Sequence, residues 1–159
     1  MNTKKNTGSY YTPEYLARFI SKKVLSFFGD NTAISLLEPS VGDGAFISEF
    51  TINNKKIKKA YNKWSGKDAV FQKIDFLDFE SKTKFSAVIG NPPYIKKTLL
   101  TSKQIATCKE IHSNENLTEK SVKNIWTTFL VKSTTLLNAN GVLAFVLPSE
   151  LLQVKFTEE

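Results

Sequence analysis

Phe85-Ser86-Ala87-Val88-Ile89-Gly90 followed by Asn91-Pro92-Pro93-Tyr94 is the stretch that decides the fold. The first part reads as a short apolar strand, and such strands belong to sheets covered on both faces. Asn91 then sets a side-chain amide at the strand's carboxyl end, and two prolines stiffen the exit. Tyr94 adds an aromatic face. An amide oxygen accepts one hydrogen of an amine, and the carbonyl of Pro92 is placed to accept the other. Two preorganised acceptors favour a more tetrahedral nitrogen with an available lone pair, so no separate base is required. The arrangement suits a flat ring carrying an exocyclic amine, with Tyr94 stacked on it.

Working outward, the chain alternates strands with helices. Upstream, Leu16, Phe19, Ile20, Val24, Leu25 and Phe28 recur at helical spacing over Glu14 to Phe28. Thr12 reads as the cap of that helix and Pro13 as its first-turn proline, with Gly29-Asp30-Asn31 ending it. Ile34 to Glu38 is a short strand, Ser40 to Gly44 a turn, and Ala45 to Phe50 the start of a helix. In Thr51 to Lys67, Asn53 to Lys56 looks like a loop and Lys58 to Trp64 like the end of a helix. Val70 to Ile74 is a strand closed by Asp75-Phe76-Leu77-Asp78. Lys96 to Lys120 is polar and reads as a mobile loop or surface segment. Val122 to Leu137 is helical, Asn138 to Gly141 a turn, and Val142 to Leu147 a strand that Pro148 ends. The expected fold is α/β with a mostly parallel sheet covered by helices. Ligands of such sheets sit at the carboxyl ends of strands, where Glu38, Asp75 and Asn91 fall.

The 159 residues suffice for one domain and one core, and an apolar content of 41% fits a globular chain. The net charge of +7 permits nucleic-acid contact without demanding it. Its densest stretch is Lys55-Lys56-Ile57-Lys58-Lys59, which also reads as a solvated helix face. Cys108 and His112 are single, and two ligands do not make a structural metal site, so no metal is expected. Without a disulfide framework or signal peptide, a cytoplasmic location is expected. Val142 to Leu147, the longest apolar run, is too short to span a membrane.

Gly42 and Gly44 flank Asp43 in the turn after the first strand. The third glycine of a dinucleotide fingerprint is absent, as is the Lys-Ser/Thr ending of a phosphate loop. With Glu38 before it, the turn suits an uncharged or cationic nucleoside ligand. Asp75-Phe76 offers an acceptor and an apolar wall for an adenine ring.

Together these segments resemble the amino-methylating DNA methyltransferases that use S-adenosylmethionine, specifically the adenine-N6 group of restriction–modification enzymes. Gly8-Ser9-Tyr10-Tyr11-Thr12-Pro13 resembles that family's N-terminal cofactor-lid motif. Leu37-Glu38-Pro39-Ser40-Val41-Gly42-Asp43-Gly44-Ala45-Phe46 resembles its cofactor loop, with Glu38 near the methionine amino group. Asp75-Phe76 resembles the segment touching the cofactor's adenine. Asn91-Pro92-Pro93-Tyr94 matches the catalytic motif without change. Phe129 resembles an apolar residue packing near the cofactor base. The resemblance runs from about residue 8 to 152. It implies a Rossmann-like methyltransferase fold and methylation of an adenine rotated out of double-stranded DNA. Asn91, Pro92 and Tyr94 become catalytic, and Tyr11, Thr12, Glu38, Pro39, Gly42, Asp75, Phe76, Pro93 and Phe129 cofactor-binding.

Two departures accompany the resemblance. No apolar strand ending in an acid fits between Phe50 and Val70, where the family places its ribose acceptor. The chain also ends at Glu159. Residues 1–159 therefore read as a partial catalytic domain with an incomplete sheet and no target-recognition domain, the missing parts coming from a recognition subunit or a C-terminal half. Two alternatives stay open: a degenerate DNA- or partner-binding fragment, and a methyltransferase acting on a protein amide nitrogen.

Overall fold

A computed structural model describes residues 11–29, 33–53 and 72–149. Its sheet has three parallel strands, β1 (Leu36–Leu37), β2 (Phe85–Gly90) and β3 (Leu137–Phe145), in the spatial order β1-β2-β3. The helices are α1 (Glu14–Leu25), α2 (Ala45–Asn53), α3 (Ser102–Asn114) and α4 (Ile125–Thr135). This is the α/β, Rossmann-like arrangement that the alternation of strands and helices implied. The calls on Thr51 to Lys67 lie mostly outside the described residues, as does the start of the Val70 strand.

β2 is central because its residues can be buried on both faces. Ala87, Val88 and Ile89 have no exposed surface. Side chains of a strand alternate between faces, and the two cores follow that alternation. Ala87 and Ile89 pack with Ala17, Val24 and Phe46 of α1 and α2, and with Leu36, Val142 and Ala144 from the neighbouring strands. On the opposite face, Cys108 of α3 and Ile125 and Phe129 of α4 pack with Leu37, Phe85 and Phe145. Arg18 reaches across from α1 to the buried Glu49 of α2 at 3.3 Å.

Four sequence expectations are corrected. First, Lys96 to Lys120 is not a loop, because it contains α3. Thr101 and Gln104 close a reciprocal capping box at its start, and Cys108 and His112 face the core. Second, Thr12 does not cap α1. Pro13 occupies the cap position, with no side-chain cap bond, and the helix stops at Leu25 as Phe27 and Phe28 bond three residues back. Third, Gln72 to Asp75 carry no strand, and Asp75 instead caps a single 3-10 turn at Phe76–Asp78 through Leu77 N–H at 3.0 Å. Fourth, Asn138 to Gly141 lies within β3. From the pair Phe85–Leu137 to the pair Ala87–Val142, β2 advances two residues and β3 five. The excess is absorbed in an irregularity where Asn140 has φ +64°.

His112 ties the second core together. It is buried, with Nδ1 against Ser121 Oγ and Nε2 3.0 Å from Thr128 Oγ1. Burial disfavours the imidazolium and lowers the pKa below its ordinary 6.5. The unfolded chain therefore takes up the proton more readily than the folded one. This contribution to stability is complete above the ordinary value and drains as pH falls through the lowered one. Urea unfolding at pH 7.5 and pH 5 checks it. His112→Leu should lose about 1–3 kcal/mol at pH 7.5, the cost of leaving a buried hydroxyl unpaired, and should show a smaller further loss at pH 5 than the unsubstituted chain.

Candidate active site

Parallel pairing brings the turn after β1 beside the exit of β2. Gly90, at the end of β2, is where they meet: a Cβ there would stand 3.2 Å from Ser40 Oγ and 3.6 Å from Pro39 Cδ. Only glycine lets the backbones approach that closely without displacing Ser40. Ser40 Oγ then donates to the backbone carbonyl of Asn91 at 2.9 Å. The turn itself needs φ +55° at Gly42 and +82° at Gly44, and Gly44 N–H closes it on Val41 O at 2.8 Å. It delivers the chain into α2.

Asn91 is held from three directions. Its Nδ2 donates to Thr12 Oγ1 at 3.2 Å, and its Oδ1 accepts from the Tyr94 hydroxyl at 2.7 Å. The Tyr94 oxygen also lies 2.6 Å from the carbonyl of Val146, just past β3. One hydroxyl carries one proton, so these two acceptors share it. Pro92 is fully buried and Pro93 half-buried. Beyond Tyr94 the chain is fixed by Ile125 N–H on Ile95 O at 2.9 Å, so the exit is anchored to the start of α4.

Glu38 sits at the end of β1. Its Oε2 is buried without a hydrogen-bond partner among the described residues. Burial, with a smaller push from Asp43, raises its pKa to about 8 against the bond from Ile47 N–H. At neutral pH the carboxyl is therefore mostly protonated, and it is poised to ionise when a cation approaches.

Of the residues singled out in the sequence, Tyr11, Thr12, Glu38, Gly42 and Asn91 line one cleft. Pro39 borders it through Gly90. Asp75 lies elsewhere, beside Asp78, Lys103 and Gln104. Phe76 and Phe129 meet each other, ring centroids 4.8 Å apart, within the second core. Sequence reasoning did not single out Ser40 or the Val146 carbonyl, because both act through backbone groups brought close only by strand pairing. Asp43, also in the cleft, was visible between the two glycines.

Comparison with known proteins agrees with this layout. The family profile described as Eco57I restriction-modification methylase matches residues 4–159. The chain is 31% identical to the Type II methyltransferase M.AccI of Acinetobacter calcoaceticus, over 94% of this chain and 29% of that protein. It is 27% identical to the modification methylase CviBIII of Paramecium bursaria Chlorella virus NC1A, over 98% of this chain and 41% of that protein. It is 24% identical to the Type II methyltransferase M.HincII of Haemophilus influenzae, over 98% and 30%. The chain thus spans well under half the length of these relatives. No helix among the described residues is long and apolar enough to cross a membrane.

The raised pKa of Glu38 has a measurable consequence. The folded chain holds this proton more tightly than the unfolded one, so the contribution is complete below the ordinary carboxylate range and is lost as pH rises through about 8. Glu38→Gln should therefore raise the melting temperature by a few degrees at pH 9 and by much less at pH 5. Differential scanning calorimetry across that range checks it.

Proposed function

The chain belongs to the Eco57I restriction-modification methylase family, and from that premise we propose that its cleft serves methyl transfer from S-adenosylmethionine to the N6 amine of an adenine turned out of double-stranded DNA. The observation that carries this reading is a strand-end asparagine amide beside a buried carboxyl oxygen without a partner, in one cleft. The unpartnered Glu38 Oε2 fits the cofactor's ammonium. When bound, S-adenosylmethionine supplies an electrophilic methyl group.

The chain's own residues do the rest. Glu38 gives up its proton and holds the ammonium as a carboxylate. Gly42 keeps the turn low enough for close approach, and Tyr11, Thr12, Pro39 and Pro93 are assigned to the cofactor's surroundings. Asn91 Oδ1 and the Pro92 carbonyl accept the two amine hydrogens and leave the nitrogen lone pair directed outward. The Tyr94 ring replaces part of the stacking that the base loses on leaving the duplex. Its hydroxyl can turn to Val146 O as the amine takes its place on Asn91. Asp75, Phe76 and Phe129 are assigned to the support of the adenosine side. Recognition of the target sequence is assigned to polypeptide beyond these residues, in keeping with the greater length of the relatives.

Transfer of labelled methyl groups to double-stranded DNA tests this. Asn91→Ala should lower transfer by roughly a hundredfold or more, the scale for losing a preorganised acceptor, and leave cofactor affinity unchanged. Equal transfer by the variant would remove Asn91 from the chemistry. Label appearing on protein rather than DNA would move the reading to an amide nitrogen.

A further inference from the structure

A carboxamide has a donor end and an acceptor end of nearly the same shape. Asn91 works as an acceptor only if its oxygen faces the incoming amine. Rotation of the amide by half a turn would put N–H against N–H, which repels. Something must therefore select the orientation. Two side chains touch this amide from opposite ends: Thr12 Oγ1 at Nδ2 and the Tyr94 hydroxyl at Oδ1. Tyr94 alone is ambiguous, since its hydroxyl can donate to Oδ1 or, by donating to Val146 O instead, accept from an N–H. Thr12 is nearly buried, at 8% exposed, and comes from a segment 79 residues away in sequence. Its bond to Nδ2 is the contact that breaks the tie.

We propose that Thr12 is a positioning residue for Asn91, holding the amide nitrogen so that the oxygen is presented to the substrate amine. This deepens the function proposed above and rests on it for its catalytic meaning. It assigns Thr12 a task besides forming a wall of the cofactor cleft. It also gives a reason for the segment before α1 to dock at the carboxyl end of β2: the N-terminal segment completes the acceptor's geometry.

Two measurements on the full chain separate this inference from the function beneath it. The first is nuclear magnetic resonance of the Asn91 side-chain amide, assigned by its loss in Asn91→Asp. The unsubstituted chain should show Overhauser contact between the amide protons and the Thr12 side chain. Thr12→Val, which keeps shape and removes the hydroxyl, should shift those amide resonances and speed rotation about the carboxamide bond. Thr12→Ser should restore both. The second is methyl transfer. Thr12→Val should lower kcat roughly tenfold, the effect of one lost hydrogen bond at the transition state, with cofactor Kd changed less than about twofold. Thr12→Ser should recover the rate.

No Overhauser contact in the unsubstituted chain overturns the proposal, whether or not the variants fold. So do unchanged Asn91 resonances in Thr12→Val, or a loss confined to cofactor affinity. If the unsubstituted chain transfers no methyl group, the functional reading fails, while the resonance data still decide whether Thr12 orients Asn91.

Discussion

Parallel pairing of β2 with a strand on either side is the constraint on which the rest depends. Its residues have no exposed surface through Ala87, Val88 and Ile89, so β2 can lie only at the centre of a covered sheet. Once it is there, the ends of three strands come into register. Glu38 follows β1, Asn91 follows β2, and Val146 follows β3, with Val146 N–H bonded to Gly90 O at 2.9 Å. The cleft is a consequence of that alignment rather than of any single motif. Gly90 makes the alignment tight enough for Ser40 to reach the Asn91 carbonyl.

Within that frame the site is polar and locally unfavourable. A carboxyl buried with one unpartnered oxygen costs stability, and it is tolerated by being protonated. Asn91 contrasts with it, being bonded through its amide nitrogen, amide oxygen and backbone carbonyl. One group is kept ready to change its charge and the other is kept from moving. Rules of burial are broken at Glu38 alone of the two, and departures of this kind concentrate where a ligand completes the structure.

Much of this was legible in the sequence, for particular reasons. The β2 run and its Asn-Pro-Pro-Tyr exit could be read because continuous apolar residues and prolines each have a narrow range of uses. The turn after β1 was legible through Gly42 and Gly44. Helix α3 was not, because its exposed face is polar and its core-facing positions include Cys108 and His112 rather than aliphatic residues. Its one clear signal was the capping pair Thr101 and Gln104. Asp75 looked like a strand end because acids commonly follow apolar runs, yet its carboxylate is used by Leu77 N–H. Thr12 before Pro13 had the appearance of a cap. Its true partner, Asn91, is 79 residues away, and local spacing carries no information about such a contact.

The central claim is that the strand-end cleft takes a cationic cofactor through Glu38. Calorimetric titration of the folded chain with S-adenosylmethionine at pH 7, in buffers of different ionisation enthalpy, tests it most directly. A carboxyl with a pKa raised to about 8 must ionise on meeting the ammonium, so the expected result is saturable binding with release of close to one proton. Binding with no buffer dependence would contradict the role given to Glu38, and no binding by the folded chain would contradict the cleft itself.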